Sequence, residues 1–123
     1  MLRTFLRAKL HQATVTSADL HYEGSISIDR GLCRAAGLLE FEQVDVYNLA
    51  NGARFTTYVI YGEPGRVQLN GAAARLAQPG DKVIIAAYVG LAGDEIPRHA
   101  PRIVLLGERN RVLSSAAPCL THP

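Results

Sequence analysis

From Leu2 to His11 the chain alternates, with Leu2, Leu6 and Leu10 on one face of an extended strand and Arg3, Arg7, Lys9 and His11 on the other. Ala13 to Thr16 is small and β-branched and reads as strand, as does Ser25 to Ile28 after the break at Gly24. Asp29 is placed to cap a short helix whose apolar side is Leu32, Ala35, Ala36 and Leu39, ended by Gly37 in a left-handed turn. Val44 to Leu49 and Arg54 to Tyr61 form the clearest hairpin, joined around Asn51-Gly52. Arg66 to Leu69 is a further strand, and Asn70-Gly71 leads into a small helical segment, Ala72 to Ala77. Pro79-Gly80-Asp81 turns the chain into Lys82 to Val89, a continuous apolar strand expected at the centre of the core. Arg102 to Leu106 is predicted as the last strand, with loop at Arg98 to Pro101 and tail beyond Ala116. About six short strands and two small helices predict a compact β-barrel, because closure removes exposed strand edges.

Composition narrows the picture. The 123 residues suit one domain, 48% are apolar and 20% charged, so the chain is globular rather than disordered. Val83 to Ala92, the longest apolar run, is about half what a membrane crossing needs. The basic residues of the N-terminal stretch lack the sustained apolar run of a signal peptide, so the cytoplasm is the expected location. A net charge of +2 gives no reason to expect nucleic acid. Two cysteines, Cys33 and Cys119, form neither a disulfide framework nor part of a metal-ligand cluster, so no metal is expected.

The stretch His21-Tyr22-Glu23-Gly24-Ser25 carries the candidate chemistry. At a Gly-Ser step a hydroxyl lies close to a carbonyl with no side chain guarding it, and glycine allows backbone angles that hold the bond exposed. Attack of the Ser25 hydroxyl on the Gly24 carbonyl would turn amide into ester. Elimination and hydrolysis would then leave a pyruvoyl group on a new N-terminus. An isolated Gly-Ser pair is usually an ordinary turn. Here LRTFLRAKLH, VTSADLHYEGS, NGARFTTYVI and NGAAA surround it in that order.

Together these motifs resemble the pyruvoyl-dependent aspartate 1-decarboxylases, over Met1 to about Val89. The resemblance implies a mainly β fold, a small closed six-stranded double-psi β-barrel with short helices, assembled as a homotetramer. It implies one domain, 1–123, cut by itself into 1–24 and 25–123, the latter bearing the pyruvoyl derived from Ser25. The implied reaction converts L-aspartate to β-alanine and CO2 through a pyruvoyl Schiff base, for pantothenate and coenzyme A synthesis.

Residue by residue, Ser25 would supply the ketone that accepts the electrons left when carbon dioxide departs. Arg54 and Lys9 match substrate-binding positions, one holding a carboxylate with a planar fork and the other as a point charge; which takes which carboxylate is open. Tyr58 lies on the face of Arg54 by the two-residue period and can act as a positioned general acid. Thr57 faces the other way, yet the resemblance gives it contact with substrate and with the oxyanion formed at Gly24 during self-cleavage. A local bulge or a neighbouring subunit would reconcile the two. Gly71, Ala72 and Ala73 match substrate-contacting backbone, whose small side chains let N–H groups approach a carboxylate. Asn70 could cap that segment or hydrogen-bond the pyruvoyl region, and His11 and Tyr22 could line the pocket.

Three departures from the family pattern stand out: a shortened loop in YGEPGRVQL, Arg75 where histidine is common, and a divergent GLAGDEIPRHAPRIVLL. The alternative reading is an uncleaved, non-catalytic β-barrel binding module of the same fold.

Overall fold

The computed structural model describes residues 1–116, so Cys119 and the predicted tail lie outside the described residues. Its strands are β1 (Arg3–Thr14), β2 (Ser17–Asp19), β3 (Ser25–Asp29), β4 (Gln43–Asn48), β5 (Arg54–Gly62), β6 (Val67–Asn70), β7 (Lys82–Leu91), β8 (Arg102–Leu106) and β9 (Val112–Ala116). They form one sheet in the order β2-β6-β3-β5-β4-β7-β1-β8-β9. The protein is mainly β, with nine strands among the described residues where the pattern predicted about six. The prediction that Arg102 to Leu106 is the last strand is corrected, because β9 folds back antiparallel on β8. The strand is short and Val112 to Ser115 are exposed, so a core-seeking pattern could not reveal it.

β7 is central, as its apolar run requires, with β1 on one side and β4 on the other, both antiparallel. β1 is too long to stay regular. It breaks register between Leu6 and Ala8 and between Leu10 and Ala13, and Gln12 takes a left-handed φ of 64° at the second break. Such irregularities bend a strand, letting β1 follow β7 and also pair in parallel with β8. Two more pairings are parallel, β2 with β6 and β3 with β5.

Alternation divides the two faces. Val44 and Val46 of β4, Val59 of β5, Val83 and Ile85 of β7, Ile26 and Ile28 of β3, and Val67 and Leu69 of β6 are buried together in the core. The opposite face carries Lys9, Asp45, Tyr47, Arg54, Tyr58, Ser25, Gln68 and Asn70, the polar members of the same strands.

The single α-helix among the described residues, α1 (Arg30–Ala36), starts where predicted. Asp29 accepts the Gly31 N–H at 2.6 Å, and its second oxygen accepts the Gly65 N–H at 2.7 Å. Gly37 ends the helix with φ of 74°, and the Leu38 N–H returns to the Cys33 carbonyl at 2.8 Å. The predicted apolar side needs correction. Leu32, Cys33 and Ala36 are buried, but Leu39 is exposed, because the left-handed turn at Gly37 redirects the chain and Leu38 enters the core instead. No helix among the described residues is long and apolar enough to cross a membrane.

Candidate active site

The Gly24–Ser25 bond lies at the start of β3, where that strand meets the end of β6 in the antiparallel pair Ser25↔Asn70. Ser25 is 1% exposed, whereas Gly24 is exposed, so the bond spans the boundary between packed sheet and solvent. The Ser25 hydroxyl donates to the Glu23 carbonyl at 3.3 Å and accepts an Asn70 side-chain N–H at 2.9 Å. The Asn70 amide also donates to Ser27 Oγ at 3.1 Å, and the asparagine is fully buried. Of the two roles open to Asn70 from the sequence, capping is not the one adopted, since its side chain makes no cap hydrogen bond.

Gly71 packs against the backbone just before the bond from the other strand. A Cβ there would lie 2.8 Å from Gly24 Cα and N and 2.9 Å from the Tyr22 carbonyl oxygen, and its φ is +64°. Both the close approach and the left-handed angle require glycine. The Gly71 of NGAAA therefore packs directly on the Tyr22–Gly24 backbone. The rest of the motif is a five-residue 3-10 turn, Gly71–Arg75, rather than helix through Ala77, with Ala72 exposed and Ala73 buried.

β5 runs beside β3 in parallel, with Ile26 opposite Val59. One position earlier on each strand are Ser25 and Tyr58, on the face away from the core. Tyr58 is half-buried, its ring 6.4 Å from that of Phe41. Arg54 shares this face, and its guanidinium lies 4.0 Å above the Tyr47 ring. Thr57 faces the other way, opposite Val44, and the β4–β5 register runs from Gln43↔Tyr58 to Tyr47↔Arg54 without a break. Of the two ways to bring Thr57 to Gly24, a bulge in this pair is absent.

No strand pairing among the described residues joins Lys9 or His11 directly to Ser25. Lys9 is level with Ala86 of β7, then Asp45 of β4, then Thr56 of β5. Three strand spacings make roughly 14 Å from β1 to β5 along the sheet, and roughly 19 Å to β3. His11 Nδ1 is buried without a hydrogen-bond partner.

Several residues on this face escaped the sequence reading. Tyr47 carries Arg54, and its hydroxyl is 2.7 Å from that of Tyr88 and 3.3 Å from Asp45 Oδ2. Loss of solvent and the Tyr88 hydrogen bond push the Tyr47 phenol up to about 12. Asp45 also accepts the Thr56 hydroxyl at 2.8 Å. Ser17 and Gln68 extend the hydrogen bonding beyond Asn70. The aromatic-to-cation pairing of Tyr47 with Arg54 was available in principle, since both flank a predicted two-strand turn. A cleft of about 530 Å³ beside Ser27 is lined by Tyr22, Arg30, Tyr61, Arg66 and Gln68 among others. Among the described residues no cluster of three or more metal-ligating side chains occurs.

Comparison with known proteins places the chain in a family. Residues 1–113 match the family described as aspartate decarboxylase. The chain is 56% identical over 109 residues to an aspartate 1-decarboxylase of Bdellovibrio bacteriovorus, covering 89% of this chain and 88% of that one. It is 53% identical over 113 residues to an aspartate 1-decarboxylase of a Hydrogenobaculum species, covering 92% and 90%. A third, from Methylibium petroleiphilum, is 55% identical over 116 residues, covering 93% and 97%.

Proposed function

The chain belongs to the aspartate decarboxylase family, and from that premise we propose a self-processing enzyme whose reactive carbonyl is made from its own Ser25. It removes the 1-carboxylate of L-aspartate as CO2 and leaves β-alanine, the precursor used for pantothenate and coenzyme A. The observation that carries the self-processing reading is the buried Ser25 hydroxyl, held by Asn70 next to an exposed Gly24.

Self-processing begins when Ser25 Oγ bonds to the Gly24 carbonyl carbon. The Gly24–Ser25 C–N bond breaks, and the nitrogen gains the proton that the hydroxyl gives up. Loss of the Ser25 Cα proton from the ester then expels the Gly24 carboxylate with the Cβ–O electron pair. Water replaces the nitrogen as ammonia, and a ketone remains. The products are 1–24 and 25–123 of a single domain.

Ser25 suits this group: its Oγ has a fixed donor in Asn70, and an added Cβ on Gly24 would meet nothing within 4 Å, so the bond is open to water. A pyruvoyl group there supplies an electrophilic carbonyl that captures the substrate amine and takes up the electrons freed by decarboxylation. Arg54, fixed on Tyr47, holds one substrate carboxylate as a planar fork, and Lys9 holds the other as a point charge. Tyr58, level with Ser25 on the next strand, delivers the proton to the substrate carbon. The backbone of Gly71, Ala72 and Ala73 borders the substrate. Tyr22 and His11 line the pocket, and Thr57 serves the oxyanion of self-cleavage and then the substrate.

The roughly 14 Å along the sheet from β1 to β5 supports an assembly in which Lys9 of one subunit reaches Arg54 and Ser25 of another, and a homotetramer would provide it. Three parallel pairings among otherwise antiparallel neighbours support a closed six-stranded double-psi barrel, with the remaining strands as additions. A cytoplasmic location suits the free thiol of Cys33.

The test is Ser25→Ala. After warming, this variant stays one chain and releases no CO2 from aspartate, while the parent splits and turns over. Decarboxylation by the variant would refute the proposal, and an uncut, inactive parent would favour a binding module.

A further inference from the structure

We infer that Gln68 is a positioning residue for self-cleavage: it holds the Asn70 amide in the one orientation that donates to Ser25. The inference rests on the self-processing reading above. Five side chains and one carbonyl form a hydrogen-bonded line, branched at Asn70, across three strands. Ser17 Oγ donates to Gln68 Oε1 at 2.7 Å, and Gln68 Nε2 donates to Asn70 Oδ1 at 2.7 Å. Asn70 Nδ2 donates to Ser25 Oγ at 2.9 Å and Ser27 Oγ at 3.1 Å, and Ser25 Oγ donates to the Glu23 carbonyl at 3.3 Å. Pairing places every member on one face, with Ser17 level with Gln68, Ser27 level with Gln68, and Ser25 level with Asn70.

The direction of the line is set at its end. A hydroxyl can give or take a proton, but the Glu23 carbonyl can only accept. Ser25 must therefore donate outward and accept from Asn70. Both Asn70 amide hydrogens are then used on serine hydroxyls, which leaves its oxygen to be satisfied inside a site with no exposure. Gln68 is the group that satisfies it. Without that donor a half-turn of the Asn70 amide would cost little. Its oxygen would face Ser25, and the hydroxyl would turn away from Glu23 to donate to it. The donor that offsets charge on Ser25 Oγ as the hydroxyl gives up its proton would be gone. Gln68 does not touch the reacting atoms, since it acts through Asn70.

The chemistry suggests a test that simple packing would not pass. In Gln68→Glu the ionised carboxylate can only accept, so it draws the Asn70 amide the wrong way round; once protonated it carries an O–H donor again. Freshly purified chains are warmed across a pH series, and appearance of the 1–24 fragment is timed by denaturing mass spectrometry. At neutral pH Gln68→Glu and Gln68→Met each cleave about tenfold slower than the parent. The Gln68→Glu-to-parent rate ratio then climbs toward one as pH falls through the usual glutamate range, about 4 to 5. The Gln68→Met ratio stays flat, and Asn70→Asp is slow at neutral pH whatever stands at 68. Parent-like cleavage by Gln68→Met, or a Gln68→Glu ratio that does not move with pH, overturns the inference alone. A parent chain that never yields the two fragments overturns the self-processing reading and this one with it.

Discussion

Replacing Gly71 with alanine should disable the scission site and destabilise the fold by an amount the geometry sets. The new Cβ would stand 2.8 Å from two backbone atoms of Gly24 and 2.9 Å from the Tyr22 carbonyl oxygen, none of them a flexible side-chain end that could swing away. Holding alanine at φ of +64° costs about 1–2 kcal/mol. Forcing two backbone segments apart in a packed region adds about 1–3 kcal/mol. The total is roughly 2–5 kcal/mol, a large share of a small domain's stability. Urea unfolding of Ser25→Ala and Ser25→Ala/Gly71→Ala at matched concentration measures it on chains that cannot cut themselves. In the Ser25 background, displacement of Gly24 relative to the Ser25 hydroxyl should slow appearance of the 1–24 fragment by well over tenfold. A loss below about 0.5 kcal/mol with normal cleavage, within the range of an ordinary surface change, would refute the claim that Gly71 packs directly on the Tyr22–Gly24 backbone.

Other outcomes test the surrounding face. Arg54→Lys keeps the charge but loses the fork and the stack on Tyr47, so kcat/KM for aspartate should fall roughly 10- to 100-fold while self-cleavage continues, as a β-alanine assay and a denaturing gel will show. Tyr47→Phe keeps the ring under Arg54 and should retain most activity, whereas Tyr47→Ala should lose roughly three- to thirtyfold in kcat/KM. Burial, then the charges of Asp29, Glu40 and Glu42, raise the Cys33 thiol from 9.0 to about 12. The unfolded chain then releases that proton first. Stability should fall as pH rises between those two values and be unaffected by this group below 9.0, and Cys33→Ala should flatten the decline in alkaline urea titrations. Peptide-mapped alkylation should mark Cys33 only as fast as the chain opens.

What the sequence made readable was local chemistry. Asp29 and Gly37 bracket α1 because a carboxylate and a left-handed glycine act on atoms a few residues away. The Asn51-Gly52 hairpin followed for the same reason, with Gly52 at φ of 76°. Alternation also gave the right face for Arg54, Tyr58 and Thr57. Parallel pairings were hidden, because nothing in a strand's own pattern says which distant strand lies beside it. The Ser17–Gln68 contact spans 51 residues and depends on such a pairing. Tyr47 lies within the predicted Val44 to Leu49 strand, but only the register sets it beneath Arg54. Leu39 misled because periodicity carried the helix past a turn that had already ended it.

The most direct measurement is the intact mass of aged, denatured parent protein, with the first residue of the larger fragment identified by fragmentation. The account predicts two species, one ending at Gly24 and one opening with a ketone in place of Ser25. A single full-length chain with an ordinary serine at 25 that still makes β-alanine from aspartate would contradict it.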